Sequence, residues 1–306
     1  MEKGFKNLKD IYNNNCTAEE IFNKTCDVLL DAPGKNLSKH VKWKELKGLS
    51  KDNKDLYPIA IIGKGSPIIL LHGFDSCFLE FRRIVPYLTN KHMLIIPDLC
   101  GFGFTPRHSE YDYGIELILL QINKIMDTFS EFKTFSLIGA SMGGGIALEV
   151  ARKNNKRIHK LLLLSPAGIT GEQKKVTPPL DKLGVCILKN KLVRNYLCRQ
   201  AFADPEKSVG KKEEQIASIH LNVPGWGEAL ASFARSGGIA GCGTPQPNQP
   251  IKVLWGKNDR ILTNSQTNLS KTILNCPHEE LEECGHLPHL DQPERVSSIW
   301  EDFYLN

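Results

Sequence analysis

Several things are missing from this chain, and each absence excludes a class of protein. No run of eighteen or more apolar residues occurs, so the sequence predicts no helix that spans a bilayer. The opening stretch, Met1–Asp10, is polar and lacks the apolar centre of a secretory signal. Nine cysteines are an odd number and none falls in a C-x-x-C pair, so neither a zinc site nor a complete disulfide framework is indicated. A strong excess of one charge is missing too: 39 basic and 34 acidic residues leave a net +5, which does not point to nucleic acid. Internal repeats and low-complexity tracts are absent. What remains is an ordinary globular composition, 41% hydrophobic and 24% charged, with a reducing cytoplasm as the expected setting. At 306 residues the chain is long enough for one large α/β domain with an insertion, or for two small domains.

The most informative stretch lies near the middle. Phe135-Ser136-Leu137-Ile138 reads as a short buried strand, and it runs into the Gly-x-Ser-x-Gly turn Gly139-Ala140-Ser141-Met142-Gly143. Ile146-Ala147-Leu148-Glu149-Val150-Ala151 then has helical character. A turn this sharp holds its serine in strained geometry, and the glycines two residues to either side lack the Cβ atoms that would collide. The Ser141 hydroxyl is thereby lifted above the strand ends, beside N–H groups at a helix N-terminus that favour a developing negative charge. Taken alone, the pattern also fits a plain glycine-rich strand-to-helix turn, so the surroundings must decide.

Residues 1–45 are polar and read as an appendage to the core, either docked or mobile. One helix is expected there: Thr17 and Glu20 make a capping box, and Ile21, Phe22, Thr25, Val28 and Leu29 form an apolar stripe. It should stop near Asp31-Ala32-Pro33-Gly34. A strand-rich core, 46–165 and 251–306, follows. Ile59–Ile62 is closed by Gly63-Lys64-Gly65, and Ile68–Leu71 comes within a hairpin's distance. Further strands are His92–Pro97, Phe135–Ile138, Leu161–Leu164 and Ile251–Trp255, with a more polar one around Glu279–Glu282. Helical stretches at 78–89, 113–129, 143–153 and 292–304 separate them. Continuous apolar strands alternating with helices mean an α/β fold with a mainly parallel sheet covered on both faces. Between Pro166 and Pro250 the pattern breaks into polar helices, roughly 180–201, 206–220 and 226–236, which read as a helical cap (166–250) over the sheet.

Ligands of an open parallel sheet sit at the carboxyl ends of its strands, and four strand ends carry polar groups here. They are His72-Gly73-Phe74-Asp75, Ser141, Gly256-Lys257-Asn258-Asp259 and Gly285-His286. Serine, aspartate and histidine in that chain order match a nucleophile, an orienting acid and a general base. The chain therefore resembles the α/β-hydrolase superfamily, in a branch with an inserted lid, over roughly residues 56–306. The resemblance rests on His72-Gly73-Phe74, Asp98-Leu99-Cys100-Gly101-Phe102-Gly103, Gly139–Gly144, Trp255–Asp259 and Gly285-His286-Leu287-Pro288-His289. It departs from many relatives at Leu99-Cys100, where they carry proline before the glycine.

The resemblance implies a carboxylic ester hydrolase in which Ser141 attacks, His286 takes its proton and Asp259 orients the imidazole. Backbone N–H groups of Phe74 and Met142 would hold the oxyanion, and neither a cofactor nor a metal is called for. Thioesters or activated carbon–carbon bonds are variants of the same chemistry. Serine as nucleophile speaks against the epoxide-opening and dehalogenating branches, which use a carboxylate. A ligand-binding receptor that keeps the triad with negligible turnover, and a cofactor-free perhydrolase, are the rival readings. Asp259 could instead cap the helix starting near Asn264, Asp98 is the rival acid, and His289 the rival base. His72 fits a loop-shaping hydrogen-bonder, and Cys77 and Cys100 fit small core residues. The expected partner is a small or lipid-like ester, and no nucleic acid; the oligomeric state is not legible.

One further stretch carries two readings. Between Lys174 and Gln200 lie seven basic residues (Lys174, Lys175, Lys182, Lys189, Lys191, Arg194, Arg199) and one acid, Asp181. Leu180, Leu183, Ile187 and Leu188 recur at helical spacing, with Leu192 and Tyr196 further along. Such a basic amphipathic stretch can lie on an anionic membrane surface, or its stripe can turn inward onto the pocket.

Overall fold

The computed structural model describes residues 16–50 and 54–306, so Met1–Asp10 lies outside the described residues. Eight strands form a single sheet: β1 (Val41–Glu45), β2 (Leu56–Ile62), β3 (Ser66–Leu71), β4 (His92–Pro97), β5 (Phe135–Ala140), β6 (Ile158–Leu164), β7 (Ile251–Gly256) and β8 (His278–Leu281). Their spatial order is β1-β2-β4-β3-β5-β6-β7-β8. The β1–β2 and β2–β4 pairs are antiparallel, and every later pair is parallel.

Alternate residues of the strands feed two cores, which is why the strands read as unbroken apolar runs. On one face Ile69, Leu71, Leu137, Leu161 and Leu163 meet Ile118 and Ile122 of α4 (Ile115–Thr128) and Ile146 and Val150 of α5 (Met142–Lys153). On the other, Ile68, Leu70, Ile138, Leu162 and Leu164 meet Val85 and Leu88 of α3 (Val85–Leu88) and Val296 and Trp300 of α13 (Pro293–Leu305). This second core also receives α1 (Ala18–Asp27) and α2 (Ala32–Ser38). The capping box between Thr17 and Glu20 is present, and the Phe22 ring packs edge-on against Phe104 at 5.3 Å and Trp43 at 5.8 Å. The N-terminal segment is docked.

Local patterning misread several boundaries. The segment read as an appendage contributes β1, which pairs with β2 in the sheet; only the long-range pairing makes Val41–Glu45 a strand. Asp31-Ala32-Pro33-Gly34 opens a second helix, because Asp31 caps α2 and Pro33 sits in its first turn, where no N–H is needed. The hairpin expected from Gly63-Lys64-Gly65 does not form: β4 lies between β2 and β3. The connection crosses the start of β4 so closely that a Cβ on Gly63 would sit 2.2 Å from the His92 carbonyl oxygen. The helix read over 78–89 is a 3₁₀ turn, Phe78–Phe81, followed by α3, since Pro86 cannot extend a helix running through Arg82.

The remaining helices lie between β6 and β7 or near the chain end. The insertion carries α6 (Leu180–Lys189), α7 (Lys191–Gln200), α8 (Pro205–Ser208), α9 (Lys211–Ile216), a 3₁₀ turn (Ile219–Asn222) and α10 (Trp226–Ser236). The single helix read over 180–201 is broken at Asn190, whose extended backbone ends α6 and whose side chain accepts from the Leu192 and Val193 N–H groups to begin α7. The helix read over 206–220 breaks at Val209-Gly210 into α8 and α9. After β7 come α11 (Asn264–Ile273) and α12 (Pro288–Asp291).

A buried ion cluster fastens the three parts. Arg82 Nε lies 3.1 Å from Asp31, and its other guanidinium nitrogen lies 3.5 Å from Glu213 of α9, which also pairs with Arg83. Removing one partner of a buried pair costs far more than the pair itself contributes. Asp31→Ala should therefore lower the free energy of unfolding by about 3 kcal/mol, from the lost pair and the lost cap of α2. Urea unfolding at neutral pH checks this; a change under about 0.5 kcal/mol, typical of surface sites, would show the segment to be peripheral.

Candidate active site

The turn from β5 into α5 puts Ser141 at φ +50° and ψ −118°, a strained conformation for a residue with a side chain. Its backbone is pinned on both sides: the Ser141 N–H donates to the Leu164 carbonyl and its own carbonyl accepts from Gly144 and Ala167, each at 2.9 Å. A Cβ on Gly143 would lie 1.9 Å from the Leu71 carbonyl oxygen, and one on Gly139 would lie 2.3 Å from that of Gly143. The two glycines thus let the turn settle directly on the end of β3.

Three side chains from three strand ends meet there. His286 Nε2 is 2.8 Å from Ser141 Oγ, and His286 Nδ1 is 2.8 Å from Asp259 Oδ2. The other Asp259 oxygen accepts from the Ile261 N–H at 2.8 Å and the Leu262 N–H at 3.0 Å. Helix α11 is capped by Thr263, so Asp259 is free of that task. Burial works to raise the Asp259 carboxyl, but the imidazole and the two N–H donors outweigh it and hold it below the usual carboxylate range. A carboxylate accepting from Nδ1 fixes the tautomer in which Nε2 can take the serine proton.

The other candidates stand elsewhere. Asp98 is fully buried, accepting from the Phe78 N–H at 2.6 Å and the Phe104 N–H at 2.7 Å, and burial pushes its carboxyl up to about 7. It shapes a turn. His289 is buried with its ring 4.9 Å from that of Phe81. His72 Nδ1 lies 2.8 Å from the Gly73 carbonyl oxygen, and Nε2 accepts from the Leu99 N–H at 3.0 Å. Burial pushes this imidazole down to about 4, which keeps it neutral. Cys77 and Cys100 are buried core thiols, raised by the same desolvation.

Phe74 lies on the wall of the cavity that opens over Ser141, whereas the Met142 side chain is buried in the core beneath it. As the first residue of α5, Met142 has an N–H with no acceptor inside its helix. The cavity measures about 310 Å³. Ser141 and His286 form part of its wall, with Phe74, Leu188, Leu197, Phe202, Ile216, Ile261, Leu287 and Leu290 around them. Its charged lining comes from Asp75, Glu80, Arg82, Arg194 and Glu213.

Two carboxylates brace the loop that carries the Phe74 N–H. Glu80 accepts from the Gly73 N–H with both oxygens, at 3.1 and 3.2 Å. Asp75, at φ +49°, is held by three groups of the insertion: Arg194 at 2.6 Å, Trp226 Nε1 at 2.8 Å and His220 Nε2 at 3.0 Å. Since Nε2–H donates to Asp75, His220 leaves only a bare Nδ1 without a partner, which suits a buried neutral imidazole; desolvation lowers its basicity. Burial pushes Asp75 up, but His220 and Arg194 prevail and bring it to about 2. Sequence reading missed this cluster. Arg194 was counted among surface bases, and its acid lies 119 positions away.

Compared with known proteins, residues 66–182 match a family model described as the alpha/beta hydrolase fold. The chain is 26% identical over 257 residues to 2-hydroxy-6-oxo-2,4-heptadienoate hydrolase of Pseudomonas putida, covering 79% of this chain and 90% of that one. It is 25% identical over 273 residues to Lipase 1 of Psychrobacter immobilis, covering 85% and 84%. The solved structure of a thermophilic esterase from Thermogutta terrifontis superposes with a TM-score of 0.69 at 20% identity, over 86% of this chain and 98% of that one, which shows a shared fold.

The Asp75 cluster makes a pH-dependent contribution of definite sign. A carboxyl lowered from 3.8 to about 2 adds stability that is complete above pH 4 and is lost as the pH falls toward 2. Asp75→Asn should cost about 2 to 3 kcal/mol at neutral pH. Its stability curve should then converge on that of the unaltered protein between pH 4 and 2. Chemical denaturation across that window reads both; parallel curves would mean that Asp75 carries no such charge.

Proposed function

We propose that this chain, a member of the α/β-hydrolase superfamily, is a serine hydrolase that cleaves carboxylic esters through an acyl-enzyme on Ser141. The observation that carries this reading is the unbroken line Ser141 Oγ, His286, Asp259, with both hydrogen bonds at 2.8 Å, at the wall of an apolar cavity. Ser141 Oγ attacks the ester carbonyl carbon as its proton passes to His286 Nε2, and the imidazolium formed is stabilised by Asp259. The proton then goes to the leaving alcohol oxygen as the C–O bond breaks. Water, deprotonated by the same imidazole, releases the acid and restores Ser141. The Phe74 and Met142 N–H groups hold the oxyanion in both halves, and losing one such donor costs about 2.7 to 4 kcal/mol in the transition state.

Substrate class follows from the cavity wall. Apolar side chains dominate it, which suits an aliphatic, lipid-like ester, and a lipase among the relatives supports the same class. The P. putida relative keeps an activated carbon–carbon bond in view as a second acyl donor. The insertion acts as a cap, closing the cavity with Leu188 and Leu197. All nine cysteines are free thiols, which fits action in a reducing compartment such as the cytoplasm.

Hydrolysis of p-nitrophenyl esters of graded chain length tests the reading. Steady turnover should be abolished by a fluorophosphonate, and Ser141→Ala should lower it by roughly 10⁴-fold with the fold intact. A receptor would be labelled once and release almost no product; a perhydrolase would need peroxide. Asp259→Asn should lose most of the rate, because the amide favours the wrong imidazole tautomer. Asp98→Asn should lower the melting temperature and spare the rate. The opposite pattern would move the acid from β7 to β4.

A further inference from the structure

Most of the apolar stripe of α6 and α7 faces solvent, with Leu188 and Leu197 also reaching the cavity wall. Leu180, Leu183, Ile187, Leu192, Tyr196 and Leu197 are 39% to 79% exposed, so these two short helices hold six of the fifteen large apolar side chains exposed among the described residues. Such crowding is not the scatter expected of an ordinary surface. The charges on the same stretch have been sorted by the fold. Arg194 is consumed by Asp75, Arg199 pairs with Glu206, and Asp181 is covered and pairs with Arg235 of α10, which also holds Glu228. Lys174, Lys175, Lys182, Lys189 and Lys191 remain, all exposed and in no ion pair among the described residues. Glu172 is the acid exposed beside them.

We infer that this face docks the enzyme on an anionic lipid bilayer. Lysines flanking a row of exposed leucine side chains match an interfacial helix: the apolar tips enter the headgroup boundary while the ammonium groups meet lipid phosphates. An acidic protein would use the lysines but would leave the leucines without a role. Location supports the same occupant, because Leu197 belongs both to this face and to the wall of the cavity over Ser141. A lipid ester leaving the bilayer would meet the cavity edge first. The proposal rests on the hydrolase reading for what is delivered, and on the exposed face alone for the docking.

Co-sedimentation of the full chain with phosphatidylcholine vesicles, with and without phosphatidylserine, tests the docking. Binding should need the anionic lipid and weaken as salt rises from about 0.05 to 0.5 M. The triple substitution Lys182→Gln, Lys189→Gln, Lys191→Gln should weaken it by roughly 100-fold. Leu183→Ser with Ile187→Ser should weaken it while leaving the salt dependence. Both variants alter exposed side chains and should hydrolyse a short soluble ester at the unaltered rate. Equal binding to neutral and anionic vesicles, binding to neither, or binding only to an acidic polypeptide such as polyglutamate would overturn the docking while leaving the hydrolase reading standing. Vesicle binding without any ester turnover would do the reverse.

Discussion

The contact on which the site depends is the approach of two backbones, where the Ser141 turn rests against the end of β3 with no room for a Cβ on Gly143. This approach brings the Gly73-Phe74 peptide beside Ser141, so the candidate nucleophile and one candidate oxyanion donor are set by one contact. Parallel pairing of β3 with β5 supplies the platform. The strain at Ser141 is held by backbone hydrogen bonds to β6 and to the residues after it, not by anything the serine side chain does. Fold and chemistry therefore share a cause: a sheet covered on both faces leaves only its strand ends open to solvent.

The insertion is part of that arrangement. Its Arg194, His220 and Trp226 grip Asp75, one residue from Phe74. The backbone N–H of His286 donates to the Ala201 carbonyl at 2.9 Å, and Arg260 donates to the Ala203 carbonyl at 2.8 Å. The loops bearing His286, Asp259 and Phe74 are thus all tied to the same insertion. A cap attached only at its ends would leave these loops to find their own positions.

What the sequence made legible were features whose cause is local. Strand runs, the glycines of the turn and the capping box at Thr17 follow from neighbours a few positions apart, and Ser141, Asp259 and His286 stand out as candidates because each comes just after a strand run. Features decided by distant partners were not legible. Val41–Glu45 looks polar and becomes a strand only through its pairing with β2. The Gly63-Lys64-Gly65 turn has the composition of a hairpin and is instead a crossing over β4. Arg194 has the helical spacing of a surface base and is spent on a buried acid. The direction of the α6 stripe was also beyond reach, because a helix shows its two faces in sequence but not which one finds a core.

Helix α6 packs on α10 and α7 while leaving its apolar side chains largely exposed. Its one buried side chain is Asp181, paired with Arg235 of α10, and α7 likewise buries only Arg194, paired with Asp75. The two helices that carry the exposed apolar row are thus each fixed by one covered charge whose partner lies on another element. Lifting α6 would break the pair between Asp181 and Arg235, and also the bond that Arg194 donates to the Leu188 carbonyl at 3.2 Å. Because the same guanidinium holds Asp75, a shift of this outer helix is passed on to the loop that carries Phe74.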